Sequence, residues 1–286
     1  MFSTSSSDQQ LQEKPIITKI KESKETKQQQ QSSIAEITPS EEDGELKVRN
    51  QKQMEFINMA AHELRTPIQP ILGLSEILIS RITDTEQLQL LNAIIRNAKR
   101  LQQLTNDILD VTQIETHSLN IVKEQFNLSD VILNVIEDMV TTSNHLYNNE
   151  KIIELLYEPK DVFVNADKGR IIQVISNLLN NAFKFTKEGS ISIEVEEKKE
   201  DKRVYDGELK QLVVLKVKDT GIGLDPEILP KLFSKFATKS HHSSTGVGVG
   251  LGLFISKNIV EAHGGKMWAE NNLNEKGASF HVILPT

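Results

Sequence analysis

Reactive side chains gather in four short segments. In FINMAAHELRTPIQPILG, residues 56–73, His62 and Thr66 stand four apart, Glu63 adjoins the histidine and Arg65 lies three residues on. In a helix, His62 and Thr66 share a face. Pro67 removes a backbone donor and should bend that helix near Glu63, and Pro70 repeats the break. An interior proline costs about 3 kcal/mol or more, so two in one well-patterned helix point to a positional purpose. Taken alone, these residues fit a surface histidine on a kinked helix equally well. NLLNNAFKFT, residues 177–186, puts Asn177, Asn181 and Lys184 on one helical face. Amide oxygens are hard ligands suited to magnesium, and a lysine suits phosphate as a point charge. A solvated polar face is the simpler reading of that segment by itself. DTGIGL, residues 219–224, places Asp219 at a strand end before Gly221 and Gly223, where a glycine backbone lets a flat ligand approach. GVGVGLGLFI, residues 246–255, runs Gly246, Gly248, Gly250 and Gly252 into a helix from Leu253 to His263. Glycines entering a helix N-terminus leave amide donors and positive dipole for a phosphate. Neither a Walker loop nor G-x-G-x-x-G occurs.

The elements that must position these groups are legible from periodicity. Ile57, Ala60, Leu64, Pro67, Ile71, Leu74 and Leu78 repeat at alternating spacings of three and four, the seam of a coiled-coil-like helix. Leu91, Ile94, Ala98, Leu101, Thr105, Ile108 and Thr112 repeat the pattern, with Ile95, Leu104 and Val111 widening the apolar face. Arg81 to Glu86 makes a turn between them. A lone hairpin of this kind leaves an apolar face wet, so the pattern predicts a homodimer closing a four-helix bundle. Farther on, Asp130 to His145 and Lys168 to Phe185 read as helices. Lys151 to Tyr157, Ser190 to Glu197, Gln211 to Asp219, Lys266 to Glu270 and Ala278 to Leu284 read as strands. That grouping predicts an α+β layer domain. The charged segment Lys198 to Lys210, containing Asp206-Gly207, reads as a hairpin loop.

Composition bounds the rest. The 286 residues suffice for about two domains. Residues 1–44 hold eight serines, seven glutamines and only seven Phe, Leu, Ile or Val residues, too few to offset ordering entropy, so this arm is expected to be disordered. The hairpin is expected over 45–117 and the α+β domain over 118–286. With no cysteine, disulfides, thiolate metal sites and cysteine nucleophiles are excluded. A formal charge of −7 argues against a general nucleic-acid or anionic-membrane binder. No apolar run is long enough to span a bilayer and the N-terminus lacks a signal-peptide layout, so a cytoplasmic address is expected.

Together these segments resemble the sensor histidine kinase family, in the family's order, over roughly residues 46–286. AHELRTP resembles the phosphoacceptor box, NLLNNAFKFT the asparagine box, DTGIGL the first glycine box, LFSKF at 232–236 the phenylalanine box and GVGLGL at 248–253 the second glycine box. The resemblance implies a Bergerat-type, α/β-sandwich ATPase domain tethered to a dimeric phosphotransfer hairpin. It implies that His62 is the nucleophile on the γ-phosphate of ATP, that Glu63 orients the ring and accepts its proton, and that Thr66 positions water when the enzyme acts as a phosphatase. Asn181, with Asn177 beside it, would hold Mg2+, Lys184 would contact phosphate and Asp219 would accept the adenine amino group. Gly221 and Gly223 would admit the purine; Gly248, Gly250 and Gly252, with Leu253, would form the hinge and phosphate cradle. Asp225 to Val247 would be the lid, carrying Phe233 and Phe236. The implied partner is the receiver domain of a separate response regulator, whose aspartate takes the phosphoryl group. Ala61 replaces a common serine and Phe185 a frequent tyrosine, and neither removes a proposed catalytic group. His117, His145, His241, His242, His263 and His281 read as surface or packing residues. A different Bergerat-type ATPase and a non-catalytic dimeric scaffold are the competing readings. The HELRTP helix counts against the first, and intact Asn181, Asp219 and glycine loops count against the second.

Overall fold

The computed structural model of the chain describes residues 41–146, 153–203, 209–237, 249–273 and 275–286. Most of the N-terminal arm, Gly246, Gly248, His241, His242, residues 238–247 of the expected lid and the Asp206-Gly207 tip lie outside the described residues. The chain divides into two compact units at Gln53 and Met54. The first contributes only the opening of one helix to the described residues; the second, Met54–Thr286, holds all the other elements.

Helices α1 (Glu41–Ile79) and α2 (Thr85–Glu115) are joined by a short turn. Asp84 starts α2 by accepting the Gln87 amide at 2.8 Å, which satisfies one of the orphan donors of the first turn. Helix α1 continues without interruption through Pro67 and Pro70, so the expected bend is not a break. The hairpin interior consists of Ile68 and Leu72 from α1 against Leu91, Ile95 and Ala98 from α2, and Ala61 of α1 is also buried. The seam read from the spacing holds in part: Leu91, Ala98, Thr105 and Thr112 of α2 are buried, whereas Ile94, Leu101 and Ile108 of α2 and Leu64, Ile71, Leu74 and Leu78 of α1 are exposed. The apolar face is wide enough for two stripes. One closes the hairpin, and the other, which carries most of the α1 seam, remains on its outside.

The α/β domain follows as β1 (Glu124–Asn127), α3 (Leu128–Leu146), β2 (Ile153–Tyr157), β3 (Phe163–Ala166), α4 (Lys168–Phe185), β4 (Gly189–Arg203) and β5 (Leu209–Asp219). After a short 3-10 turn at Leu229–Lys231 come α5 (Gly252–Ala262), β6 (Lys266–Asn271) and β7 (Ala278–Pro285). Five strands form a mixed sheet in the order β2-β4-β5-β7-β6, with only β2 and β4 parallel. Strands β1 and β3 form a separate antiparallel pair that the sequence pattern did not announce. The Lys198–Lys210 loop is shorter than read, because β4 extends to Arg203 and β5 resumes at Leu209.

Alternation explains the layering. Ile193, Val217 and Phe280 stand in one register row and are buried, whereas the next row, Glu194, Lys216 and His281, faces outward, with Lys216 Nζ 3.4 Å from Glu194. Helices α3, α4 and α5 supply the other half of the core through Leu128, Ile132, Ile171, Ile175, Leu178, Leu179, Ile255 and Ile259, all almost fully buried. The polar face of α4 is thereby left pointing away from the sheet.

Candidate nucleotide site

Helix α4 owes its start to Asp167, whose Oδ1 accepts the Arg170 amide at 3.0 Å. Burying Ile171, Val174, Ile175, Leu178, Leu179 and Ala182 presents Asn177, Asn181 and Lys184 along one side. These three line an open groove of about 1500 Å³ together with Asp219, Gly223, Gly250, Gly252 and Leu253. The structure thus brings Asn177, Asn181, Lys184 and Asp219 to one groove with Gly223, Gly250, Gly252 and Leu253, whereas Gly221 does not line it.

Asp219 sits at the end of β5 with 4% of its surface exposed. Its Oδ1 accepts the Gly221 amide at 2.8 Å and the Ala278 amide at 3.4 Å. Burial pushes its pKa up, against the lowering effect of those two donors. Gly221 adjoins the C-terminal end of α4, where a Cβ would collide with the Phe185 carbonyl oxygen. Leu224, next to Gly223, is held by Asn271, whose Oδ1 accepts the Leu224 amide at 2.6 Å and whose Nδ2 donates to the Leu224 carbonyl at 2.8 Å. Asn272 completes the clamp by donating to the Asp219 carbonyl at 2.8 Å and the Lys276 carbonyl at 3.0 Å. Sequence reasoning missed Asn271 and Asn272. The signal available was a pair of turn-forming asparagines immediately after a strand.

At the other end of the groove, α5 begins at Gly252 after Leu251, with no side chain capping its first turn. Uncapped first-turn amides and the helix dipole are suited to an anion. Asn177 is committed to seating this helix: its Nδ2 donates to Ser256 Oγ at 2.9 Å and its Oδ1 receives Asn181 Nδ2 at 3.5 Å. The Asn181 oxygen makes no hydrogen bond among the described residues. Gly250 adopts φ +78, a left-handed conformation that suits glycine, and its carbonyl accepts the Phe236 amide at 3.1 Å. Burial, and then the charge of Arg100, push the Lys184 pKa down. Two cations sharing one groove gain from an anion between them. Among the described residues no three acidic or histidine side chains converge on a metal position. Mg2+ usually takes one or two protein ligands and completes its shell with phosphate and water, so the donor set fits that ion only when it arrives with a phosphate chain.

The groove has a second wall made by α2 of the hairpin, including Arg100, Gln103, Asn106, Asp107 and Asp110, with Arg65 from α1. Arg65 donates to Asn106 Oδ1 at 2.7 Å, which sets the two hairpin helices in register at this level. His62 and Glu63 are exposed and do not line the groove; Thr66 donates to the His62 carbonyl at 3.1 Å. The remaining histidines behave as packing or surface groups where described. His263, 3% exposed, accepts the Asp167 amide on Nε2 and donates from Nδ1 to the Ile259 carbonyl. His281 stacks on Trp268 at 4.6 Å.

A hairpin carrying HELRTP, followed by a mixed-sheet α/β domain with this groove, defines a two-part phosphotransfer class, and comparison with known proteins agrees. Residues 52–117 match the His Kinase A (phospho-acceptor) domain, and residues 166–286 match the histidine kinase-, DNA gyrase B- and HSP90-like ATPase family. The chain is 32% identical over 241 residues to Histidine kinase 5 of Arabidopsis thaliana, covering 79% of this chain and 26% of that protein. It is 33% identical over 238 residues to Hybrid signal transduction histidine kinase B of Dictyostelium discoideum, covering 82% of this chain and 12% of that protein. Full-length ShkA in complex with AMPPNP shares the fold, with a TM-score of 0.58 at 24% identity, covering 81% of this chain and 45% of that one. The chain belongs to the histidine kinase family. It spans about a quarter or less of the length of the curated relatives it matches. No helix among the described residues is long and apolar enough to cross a membrane.

Proposed function

We propose that the chain is an ATP-dependent protein histidine kinase that phosphorylates His62 and passes the phosphoryl group to an aspartate on the receiver domain of a separate response regulator. The observation that carries this reading is the continuity of one groove. It runs from buried Asp219 to the uncapped N-terminus of α5, and its hairpin wall includes Arg65, one helical turn from His62.

Asp219 accepts the adenine amino group, and Gly221 and Gly223 let the purine lie against the backbone. The first-turn amides of α5, entered through Gly248, Gly250, Gly252 and Leu253, bind the phosphates with Lys184. When bound, Mg2+ screens charge on the phosphate chain, held by the Asn181 oxygen; Asn177, engaged with Ser256, supports Asn181 and α5. In the transfer step a bond forms between an imidazole nitrogen of His62 and the γ-phosphorus, and the bond from that phosphorus to the β-γ bridging oxygen breaks, releasing ADP. Glu63 orients the ring and takes its proton. In the reverse role, Thr66 positions water for hydrolysis of the regulator's phosphoaspartate. Such transfer depends on positioning and charge stabilisation more than on covalent help.

Residues 45–117 serve as the dimerisation and phosphotransfer hairpin and 118–286 as the ATP-binding domain. The outer apolar stripe, with Leu74 62% and Leu90 63% exposed, supports a homodimer through the hairpin, since such a face in water is costly. ATP as substrate supports a cytoplasmic site of action. The test is incubation with γ-labelled ATP and magnesium, wild type beside His62→Ala. Acid-labile, alkali-stable label that is lost in the variant is expected. ATP hydrolysis without retained label would transfer the chain to the wider ATPase group, and neither activity would leave a nucleotide-free scaffold.

A further inference from the structure

Among the described residues of the hairpin the most deeply buried charge is Asp110 of α2, with 6% exposure. Both of its oxygens are engaged by α4 of the ATPase domain: Oδ1 accepts Arg170 at 2.5 Å and Oδ2 accepts Gln173 Nε2 at 2.6 Å. Arg170 also donates to Gln113 of α2 at 3.1 Å and to Gln173 at 3.0 Å. Four side chains from two helices thus satisfy one another around one buried ion pair, the arrangement in which such a pair fixes geometry most firmly. A second tie, Lys235 to Glu115, has both side chains about one third exposed and is correspondingly weak. Docking of the two parts in this structure thus combines apolar packing of Val111 and Ile114 against the ATPase-domain core with one geometry-fixing polar network, centred on Asp110.

In that docked arrangement the groove faces Arg65 and Arg100, while His62 stays in solvent off the groove. Phosphoryl transfer needs the reacting atoms about 3–3.5 Å apart. We propose that Asp110, Arg170, Gln173 and Gln113 form a latch that holds the ATPase domain in a non-transferring position on the hairpin, and that the latch must open before His62 meets ATP. The proposal rests on the kinase reading for its consequence, not for its geometry. Asp110, Arg170 and Gln173 stand on the hairpin side of the groove and are positioning residues: they act on where the groove lies and not on the reacting nitrogen. Removing the charge at position 110 shifts the population from latched to free.

The chain has no cysteine, so spin labels can be placed at Lys99→Cys on α2 and Lys187→Cys just after α4, both exposed positions. Labelled protein is mixed with excess unlabelled protein, so that distances within one protomer are read. In Asp110→Asn the distance distribution is expected to broaden, and autophosphorylation at saturating ATP to rise about three- to tenfold, with KM for ATP unchanged. The charge exchange Asp110→Arg with Arg170→Asp is expected to narrow the distribution again and return the rate toward wild type. A narrow distribution in Asp110→Asn, or a rate that falls and is not rescued by the exchange, overturns the latch. If wild type forms no phosphohistidine while Asp110→Asn still broadens the distances, the latch stands and the kinase reading fails. Phosphohistidine in wild type with unmoved distances in the variant sinks the latch and leaves the kinase reading standing.

Discussion

Asn177 and Gly252 meet so closely that a Cβ on the glycine would collide with the Asn177 amide oxygen. The N-terminus of α5 is therefore seated on a side chain of α4, and the phosphate end of the groove inherits its shape from that contact. Gly252→Ala should displace Asn177, and Asn181 with it. Overpacking of this kind costs about 1–3 kcal/mol. Thermal melting should register that loss, and calorimetric titration with Mg-ATP should show at least a tenfold drop in affinity. Unchanged affinity would mean that the contact does not shape the site.

Asn181→Ala should abolish magnesium-dependent ATP turnover while leaving the dimer intact, because its oxygen makes no bond within the described protein, whereas that of Asn177 does. Asn177→Ala should instead loosen α5 and lower the melting temperature, since it removes the bond to Ser256. Sedimentation, melting and turnover measured side by side distinguish the two outcomes. Equal losses of stability in both variants would contradict this division of labour.

Asp219 is held at some expense to folding. Burial raises its folded-state pKa, so the cost of ionising it is absent at acid pH below the unfolded-state pKa and complete once pH has risen through the raised folded value. An asparagine accepts the Gly221 and Ala278 amides without that cost. Asp219→Asn should therefore be stabler at neutral pH by about 1 kcal/mol, while binding ATP far more weakly. Denaturant midpoints together with nucleotide titration check both halves; loss of stability would show that the two backbone bonds outweigh desolvation.

The same directions shape the pH dependence of binding. As pH falls through the raised Asp219 pKa the acceptor is protonated, so affinity should decline above the ordinary carboxylate range of about 4. As pH rises through the lowered Lys184 pKa the cation is lost, so the alkaline decline should begin below the ordinary lysine value of about 10.4. Lys184→Arg keeps its charge across that range and should flatten the alkaline limb alone. A limb that Lys184→Arg leaves in place belongs to another group.

Much of this architecture was legible in the chain. Helix α4 runs over the residues its spacing indicated because six apolar positions at helical intervals leave one polar stripe, and that stripe carries the site. The hairpin was legible as an element, and its seam only in part: Leu91, Ala98, Thr105 and Thr112 of α2 are buried, but most of the α1 seam is not. On α1 it is Ile68 and Leu72 that close the pair, while Leu64, Leu74 and Leu78 stay exposed. Periodicity reports that a face is apolar and not which neighbour it meets. Strands β1 and β3 escaped notice because four residues each, EQFN and FVNA, are too short for alternation to register. Asn271, Asn272 and the Asp110 network were beyond reach for a different reason: their meaning lies in partners 47 to 63 positions away in the chain.

Helix α4 is also the connection between the two parallel strands of the sheet, β2 and β4, since parallel neighbours require a crossover. The side chains that would grip nucleotide thus sit on a folding link, and Asp219 receives its Ala278 donor from a strand 59 positions later. Closing such long loops is slow and is rewarded only at the end. A ribosome-bound chain should hold no nucleotide until β7 has emerged and paired. Thereafter, at a hundredfold excess over its dissociation constant, ATP would add about 2.7 kcal/mol to the folded state. That gain should appear as slower unfolding, with no faster refolding.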